Sequence, residues 1–387
     1  MRKTLPLLIL AALFFAIIGQ SQFVLAADAA KANYVELNRA AFQKVIDGKQ
    51  VDLYTLQNKN GMVAKITNYG GKIVQLLVPD KNGQLGDVVL GYDSLDQTMK
   101  GQASMGCIVG RYANRIGKGQ FNLFGVDYQL TINNGPNHLH GGTKGSRFVV
   151  FDAIQIDEKT LQLNYYFKDG EEGYPGNCSL KAVYSLTDDN QLKITYDAVT
   201  DSPTIVNFTN HAFWNLAGEG RGDILNHVLI LNADNFTPVD GTLITTGEIR
   251  SVKGTPLDFT SGQKIGARIN DSYEQLKYGP GYDFNWVLNK MGKEMSFAAR
   301  VYEPTSGRVM EIYTTEPGIQ FYSGNFLTGK APMDIGKGGK PYVYRGAFCL
   351  ETQHYPDSPS KPNFPTTVLM PGEWFSSTTI YQFSVQK

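Results

Sequence analysis

Apolar residues occur along this chain in short runs that alternate with polar positions and end at turn residues. A period of two is typical of strands that bury one face. The pattern predicts strands at residues 51–56, 62–67, 72–78, 87–90, 121–123, 126–130, 161–167, 180–186, 192–198, 204–207, 227–231, 296–302, 309–314, 348–352 and 377–383. Phe124-Gly125 predicts a tight hairpin, and a short helix is predicted near residues 38–46.

The composition agrees with a chain made mostly of strands and turns. It contains 41 glycines, 17 prolines, 21 tyrosines and 21 phenylalanines, which favour turns and strands. A length of 387 residues would allow two or three domains, but no linker-like stretch or repeat divides the sequence. We therefore expect an all-β protein in which residues 27–387 form one large antiparallel β-sandwich.

The first residues have the parts of a secretory signal peptide. Arg2 and Lys3 give a basic start, residues 5–18 form an apolar run, and residues 24–26 place small or apolar side chains at the cleavage positions. The alternative is a retained membrane anchor, but the run is short for a bilayer span. The sequence therefore predicts a cleaved signal peptide at residues 1–26 and a periplasmic or secreted protein.

Charge gives little reason to expect a charged partner. The chain has 36 basic and 36 acidic residues, so nothing directs it to nucleic acid or anionic lipid. Its three cysteines, Cys107, Cys178 and Cys349, are too few for a disulfide scaffold, and buried thiols are expected. We expect a small-molecule substrate, no nucleic-acid partner, no membrane partner after signal cleavage, and a monomer or weak dimer.

One carboxylate stands at the end of an apolar strand. In a strand at residues 348–352, Phe348 and Leu350 face one way, while Cys349, Glu351 and Gln353 face the other. A glutamate in this position is paired, lies near the surface, or has a shifted pKa that lets it carry a proton. Glu351 is therefore a candidate for proton transfer.

Three histidines are candidates for chemistry. His211 lies in residues 207–216, a segment rich in aromatic, Asn and Thr residues. That setting suits either general acid–base work or a hydrogen-bonded core histidine. His138 and His140 are expected on one face of a strand, a spacing that a metal site can use, although no third and fourth ligand is evident.

Two arginines lie between glycines in residues 109–117. The guanidinium groups of Arg111 and Arg115 can bind sugar hydroxyls or a carboxylate, and the alternative is structural pairing with an acidic neighbour. The sequence contains no dinucleotide fingerprint, nucleophile elbow or paired Cys-x-x-Cys motif. Nucleotide cofactors and serine hydrolysis are therefore disfavoured.

These segments together resemble the aldose 1-epimerases, the galactose mutarotase family. The resemblance runs from about residue 68 almost to the C-terminus and rests on the order and spacing of short motifs. These are Asn68-Tyr69-Gly70-Gly71, Asp87-Val88-Val89-Leu90-Gly91, Gly110-Arg111-Tyr112-Ala113-Asn114-Arg115-Ile116, Leu139-His140-Gly141-Gly142, Gly170-Glu171-Glu172-Gly173-Tyr174-Pro175-Gly176, Thr209-Asn210-His211, Gly281-Tyr282-Asp283, Pro317-Gly318-Ile319-Gln320-Phe321-Tyr322-Ser323-Gly324-Asn325 and Leu350-Glu351-Thr352-Gln353.

The resemblance implies a galactose mutarotase-like β-sandwich. It also implies interconversion of the α and β anomers of free aldohexoses such as galactose and glucose, without metal or cofactor. Glu351 is implied to be the general base and His211 the general acid. Sugar-binding roles are implied for Asn114, Arg115, His140, Asp283 and Gln320. The chain departs from the family at Ala212-Phe213, where relatives often carry hydroxyl groups.

This assignment fits the chemistry of opening a sugar ring. A base removes the proton of the C1 hydroxyl while an acid protonates the ring oxygen. A glutamate beside a protonated histidine favours the charged pair, so we expect both groups to be ionised near neutral pH. Trp214 or Trp286 is expected to cover the apolar side of the sugar.

Two other functions stay open at this point. A glycoside-processing enzyme needs two carboxylates, and Glu351 with Asp283 would supply them, but His211 would then have no role. A non-catalytic carbohydrate-binding protein would bind sugars without accelerating anomer exchange. That alternative leaves the Glu351 and His211 pattern unexplained.

Overall fold

The structure is a computed structural model that describes Met1 and residues 34–386. The predicted signal peptide, residues 1–26, lies outside the described residues except for Met1. Residues 33–387 form one compact unit, and it is built almost entirely from antiparallel strands.

The strands of the first part of the described chain are β1 (Lys44–Ile46), β2 (Lys49–Val51), β3 (Leu53–Gln57), β4 (Val63–Thr67), β5 (Lys72–Pro79), β6 (Leu85–Asp87), β7 (Ile108–Val109), β8 (Arg115–Ile116), β9 (Gln120–Leu123), β10 (Val126–Gln129) and β11 (His138–Leu139). The middle part contains β12 (Asp152–Asp157), β13 (Thr160–Phe167), β14 (Cys178–Leu186), β15 (Gln191–Thr200), β16 (Thr204–Ile205), β17 (Thr209–Asn210), β18 (Val228–Leu231), β19 (Asn235–Thr237), β20 (Arg250–Ser251) and β21 (Gln263–Lys264). The last part contains β22 (Asp283–Val287), β23 (Ser296–Tyr302), β24 (Arg308–Thr314), β25 (Gly318–Tyr322), β26 (Cys349–Gln353), β27 (Val368–Leu369) and β28 (Phe375–Val385).

Helical structure is confined to short pieces. The α-helices are α1 (Leu95–Lys100) and α2 (Glu274–Tyr278), and the 3₁₀ turns are Arg39–Phe42, Gly117–Gly119, Ser146–Phe148, Glu171–Gly173, Ile265–Ala267, Lys337–Gly339 and Ser358–Ser360. Among the described residues, no helix is long and apolar enough to cross a membrane.

Three sheets hold most of the strands. The nine-stranded sheet has the order β12-β13-β14-β15-β28-β24-β23-β18-β21, the five-stranded sheet β20-β19-β22-β25-β26, and the four-stranded sheet β3-β4-β5-β6. The strand pairs of these sheets are antiparallel. The all-β, antiparallel prediction is confirmed.

Alternating burial explains why these segments form strands. Along β14 every second residue is buried, from Cys178 to Leu186. The five-stranded sheet packs on the nine-stranded sheet through β26 and β28, where the Tyr381 hydroxyl donates to the Leu350 carbonyl at 3.4 Å. Phe348 and Leu350 lie in the shared core. The opposite face of β26 is therefore left for Glu351.

Two local predictions are wrong. Residues 38–46 form one 3₁₀ turn followed by strand β1, not a helix, because Asp47 and Gly48 adopt positive φ (50° and 75°) and close a hairpin with β2. Strand β6 ends at Asp87, so the predicted strand 87–90 leaves the ladder, and Val89 makes only an isolated bridge to Trp214.

The three cysteines behave as the sequence predicts. Cys107, Cys178 and Cys349 are buried and unpaired. Burial raises the pKa of each thiol, so none is held as a reactive thiolate near neutral pH.

Candidate active site

The five-stranded sheet presents a row of polar side chains across β22, β25 and β26. Gln320 of β25 lies opposite Asn285 of β22 on one side and Glu351 of β26 on the other. Directly opposed residues of antiparallel strands share a face, so these side chains form one row. Asp283 lies two residues before Asn285 on the same face, and Gln320 Nε2 donates to Asp283 Oδ1 at 2.7 Å.

His211 reaches this row from a separate segment. Strand β17 pairs with β7, and the His211 amide donates to the Cys107 carbonyl at 2.9 Å. The imidazole stacks on Phe213 with 5.1 Å between ring centroids. Its Nε2 lies 3.5 Å from Glu351 Oε1, and the two side chains are 8 % and 3 % exposed. The fold therefore brings together the two residues to which the sequence assigned proton transfer.

Asn114 and His140 approach the pair on two loops that are tied together. Both residues have left-handed backbone, with φ of 62° and 53°, a conformation that is uncommon for non-glycine residues. The His140 amide donates to the Asn114 carbonyl at 3.0 Å, and the Asn114 amide donates to His140 Nδ1 at 3.2 Å. The His140 ring lies edge-on to His211, with 5.2 Å between centroids.

A glycine permits this close approach of the two loops. Gly141 has a φ of 77°, and a Cβ on it would lie 1.8 Å from the Gly110 carbonyl oxygen. Any other residue would push the His140 loop away from the Asn114 loop. The glycine therefore helps to set the position of the His140 ring.

Arg115 completes the group of predicted site residues. Its amide is held by Asn114 Oδ1 at 2.9 Å, and its Nε donates to Asn134 Oδ1 at 3.1 Å. Within residues 34–386 its terminal guanidinium nitrogens make no hydrogen bond, so they are available to oxygens of a ligand. Burial raises the pKa values of Glu351 and Asp283, whereas the positive charge of Arg115 lowers both.

Burial determines the protonation of the acid–base pair. It raises the pKa of Glu351 well above its ordinary value, an effect that Asp283 strengthens and Arg115 opposes. It also lowers the pKa of His211 to about 3. Both shifts favour the neutral forms, a protonated Glu351 carboxyl beside a neutral His211 imidazole. The expectation of an ionised pair is wrong here, because desolvating two charges costs more than their attraction at 3.5 Å returns.

Several buried polar atoms around the pair have no hydrogen-bond partner in the described part of the chain. They are His211 Nδ1, Glu351 Oε2, Gln320 Oε1, Asn285 Oδ1 and both polar side-chain atoms of Gln353. Each unsatisfied buried atom costs about 1–3 kcal/mol, so their concentration indicates a place where a polar ligand completes the hydrogen bonds. Asn285 and Gln353 are additions to the predicted site, and their period-two spacing from Asp283 and Glu351 is the signal that identifies them.

Two further candidates from the sequence serve the fold. His138 does not share a face with His140, because its Nδ1 donates to the Thr131 carbonyl and its Nε2 accepts from the Tyr174 hydroxyl, both at 2.7 Å. Arg111 is 1 % exposed and donates to the carbonyls of residues 175 and 176 at 2.9 and 2.8 Å.

The predicted aromatic cover of the sugar is wrong. Trp214 and Trp286 are both 0 % exposed. Trp214 packs against Tyr381 in the core between the sheets, with 5.0 Å between ring centroids. Phe213 instead stacks on His211, at a position that the sequence marked only as a departure from the family.

His140, His211 and Glu351 also have the spacing of a candidate metal site. One donor atom from each lies within 4.8 Å of the others. However, His140 Nδ1 accepts a hydrogen bond from the Asn114 amide, so in the neutral ring the hydrogen is on Nε2. Metal-bound histidines have the reverse arrangement, in which the second nitrogen donates. The donor set therefore suits hydroxyl oxygens better than a metal ion.

These groups can pass a proton between two oxygens of a bound polyol, which is the chemistry of a sugar isomerase. The family model for aldose 1-epimerase matches residues 52–382. The chain is 43 % identical to the galactose mutarotase of Bos taurus over 91 % of this chain and 99 % of that protein. It is 36 % identical to the aldose 1-epimerase of Escherichia coli K12 over 87 % and 96 % of the two chains. The chain belongs to the aldose 1-epimerase family and is an isomerase that interconverts sugar anomers.

Solved structures agree with the fold. An aldose epimerase homologue from C. elegans superposes with a TM-score of 0.80 at 33 % identity, covering 87 % of this chain and 100 % of that chain. The galactose 1-epimerase of Lactobacillus acidophilus gives 0.78 at 28 % identity, covering 91 % and 100 %. The prediction of a galactose mutarotase-like β-sandwich is confirmed.

The predicted cellular location is wrong. The galactose mutarotases that the chain matches include the human protein, at 40 % identity over 90 % of this chain and 99 % of that protein. These mammalian relatives are cytosolic enzymes. They contradict the periplasmic or secreted assignment, which rested on the N-terminal residues alone.

Proposed function

We propose that this isomerase acts on free aldohexoses, galactose among them, with Glu351 and His211 as its acid–base pair. One observation carries this assignment. Glu351 Oε1 and His211 Nε2 lie 3.5 Å apart, and Glu351 Oε2 and His211 Nδ1 have no partner among residues 34–386. A single proton held between two such groups is what ring opening requires.

The reaction needs one base and one acid. The base takes the proton of the C1 hydroxyl, the C1–ring oxygen bond breaks, and the acid protonates the ring oxygen, giving an open-chain aldehyde. Rotation about the C1–C2 bond presents the other face of the aldehyde, and the reverse transfers close the ring. We assign the base to Glu351 and the acid to His211 in the opening step.

The protonation of the buried pair is compatible with this assignment. Glu351 and His211 share one proton, and moving it from the carboxyl to the imidazole converts the neutral pair into base and acid. Arg115 favours that transfer, because its charge stabilises the Glu351 carboxylate. Each proton-transfer group is expected to contribute about 10²- to 10⁴-fold in rate.

Five polar residues are proposed to hold the sugar hydroxyls. Arg115 offers its free guanidinium nitrogens, and His140 offers the Nε2 hydrogen that its tautomer requires. Asp283 and Gln320 are joined at 2.7 Å, and Gln320 Oε1 is left as an acceptor. Asn114 is proposed to donate through its side-chain nitrogen, because its Oδ1 already accepts from the Arg115 amide. The absence of nucleic-acid and membrane partners and a monomer or weak dimer stay predictions.

Polarimetry tests this proposal. The purified protein should accelerate the change in optical rotation of freshly dissolved α-galactose and α-glucose. Methyl α-galactoside serves as the control, because its blocked C1 oxygen cannot lose a proton. Acceleration absent for every free aldohexose, or release of reducing sugar from the glycoside, would contradict the proposed function.

A further inference from the structure

A second cavity lies apart from the proposed catalytic groups. It has a volume of about 740 Å³ and is bordered by His354, Glu316, Thr367, Val368 and Trp374. This volume lies in the range of small-molecule sites. None of the seven predicted site residues borders it.

The cavity lies at one end of the five-stranded sheet, where Leu288 follows β22, Pro317 precedes β25 and His354 follows β26. His354 is three residues beyond Glu351, which corresponds to about 10 Å along an extended chain. Residues 375 and 376 of β28 border the cavity, and Thr352 bonds Thr379 of that strand. Glu351 does not border the cavity.

The cavity wall carries a fixed imidazole. Glu316 is 3 % exposed, and its Oε2 lies 2.6 Å from His354 Nδ1. Since Nδ1–H donates to the carboxylate, His354 Nε2 is the ring atom left for a ligand. It has no hydrogen-bond partner among residues 34–386.

Trp374 forms a rigid aromatic wall at the rim. The residue is 62 % exposed, yet its indole nitrogen donates to Asp197 Oδ1 at 3.1 Å. Lys181 lies 5.7 Å from the ring centroid and borders a neighbouring, smaller cavity with Asp197. The other ring face is therefore turned toward the large cavity. A fixed, exposed indole is a stacking surface for the C–H face of a sugar.

The charges at the cavity balance. Lys290 and Lys293 oppose Glu316 and Glu373 around its border, and the Lys290 ammonium is already held by the Glu294 and Thr314 carbonyls. This balance favours a neutral ligand over a phosphate or a carboxylate. We propose that the cavity is a second, non-catalytic binding site for a neutral pyranose, stacked on Trp374 and hydrogen-bonded by His354.

The tryptophans provide a direct readout. Trp214 and Trp286 are 0 % exposed, whereas Trp374 is 62 % exposed, so acrylamide quenching of the fluorescence reports on Trp374. Galactose should lower the quenching slope by about twofold at saturation, because a stacked ring leaves only one indole face open. Sorbitol, an open-chain hexitol, is the control for solvent effects. Concentrations up to about 100 mM detect a Kd as weak as about 10 mM.

Three variants assign the effect to one site. Asp283→Ala impairs the proposed catalytic pocket but should keep the protection of Trp374 from acrylamide quenching by galactose. A failure of the proposed function therefore does not affect this test. His354→Gln keeps an N–H donor for Glu316 but loses Nε2, and Val368→Phe fills the cavity. Both should lose protection while retaining wild-type mutarotation within about twofold.

Each remaining outcome overturns the second site. Equal protection by sorbitol would identify a solvent effect. Loss of protection in Asp283→Ala would place the effect in the catalytic pocket. Full protection in both His354→Gln and Val368→Phe, or no protection of the wild-type protein, would show that no sugar binds in this cavity.

Discussion

The molecule contains two buried Glu–His pairs with opposite properties. Glu316 and His354 touch at 2.6 Å, whereas Glu351 and His211 lie 3.5 Å apart. Burial alone would raise the pKa of Glu316, but His354 and Ser377 hold it below its ordinary value. The pKa of Glu351 is raised by burial, and no partner within hydrogen-bond distance reverses the effect.

The difference shows that contacts, not residue types, separate a structural pair from a reactive one. The Glu316 pair is joined by a direct hydrogen bond of 2.6 Å, which fixes the carboxylate and stabilises the fold. The Glu351 pair leaves both outer atoms unpartnered among the described residues and keeps its proton mobile. The following predictions test this contrast.

Removing the proposed catalytic imidazole, His211, should have the largest effect. His211→Asn cannot carry the proton, and we expect mutarotation to fall by about 10²- to 10⁴-fold, measured by polarimetry with α-galactose. Adding Glu351→Gln should cost much less than the product of the two single effects, because the residues act as a unit. The matched control is His354→Gln, which should retain nearly full activity. Equal losses at His211 and His354 would remove the distinction between the pairs.

The pH dependence should report a pair with one proton. Because burial lowers the pKa of His211 to about 3, kcat/KM should stay level through the ordinary histidine range near 6.5 and fall only close to pH 3. On the alkaline side activity should fall as Glu351 loses the only proton of the pair. Circular dichroism at each pH separates unfolding from titration. An acid limb centred near pH 6.5 would contradict this protonation.

Replacing the sugar-binding arginine should have an intermediate effect. Arg115→Lys keeps the charge but loses the forked donors, so kcat/KM should fall by about tenfold. The matched control is Arg250→Lys, since Arg250 forms a partly exposed ion pair with Glu248 at 2.7 Å. The prediction fails if the two variants have the same steady-state constants.

Glu316→Gln should affect stability and leave activity nearly unchanged. Glu316→Gln weakens a buried pair and should lower the free energy of unfolding by about 2 kcal/mol near neutral pH. The pKa of Glu316 is lower in the folded protein than in the unfolded chain. Its contribution to the free energy of unfolding is therefore present above the unfolded-state pKa and is lost as pH falls through the folded-state pKa. Urea unfolding of Glu316→Gln and wild type at pH 7 measures the loss of stability, and the same comparison at pH 4 measures how much of that difference disappears on acidification.

Glu351→Gln should instead stabilise the protein. The folded pKa of Glu351 is raised, so wild-type stability decreases as pH rises from the unfolded value through the folded one. Because glutamine does not titrate, the stability advantage of Glu351→Gln over wild type should grow as pH rises between the unfolded-state and folded-state pKa values of Glu351. A variant less stable than wild type throughout would contradict the cost assigned to this carboxyl.

The sequence predicts most of the fold because alternation is a local property. Residues 296–302 are a predicted strand and form β23 with the same bounds. Alternation along 348–352 also predicts that Glu351 faces away from Phe348 and Leu350. The hairpin at Asp47-Gly48 was predictable from its turn residues, which outweigh the helical pattern around them.

The errors at the site depend on features that no local pattern contains. His138 and His140 diverge because β11 ends at Leu139 and His140 has a φ of 53°, which breaks the period of two. The proton position on the catalytic pair depends on how deeply distant segments bury it. The same applies to Trp214, which is covered by the nine-stranded sheet.

The most direct test of the account is a comparison of Glu351→Gln with Glu316→Gln by polarimetry on freshly dissolved α-galactose, with both proteins folded. We predict that Glu351→Gln loses at least about 100-fold in catalysed mutarotation, while Glu316→Gln stays within about threefold of wild type. Near wild-type activity in Glu351→Gln, or an equal loss in the two variants, would contradict the claim that only the open pair carries the chemistry.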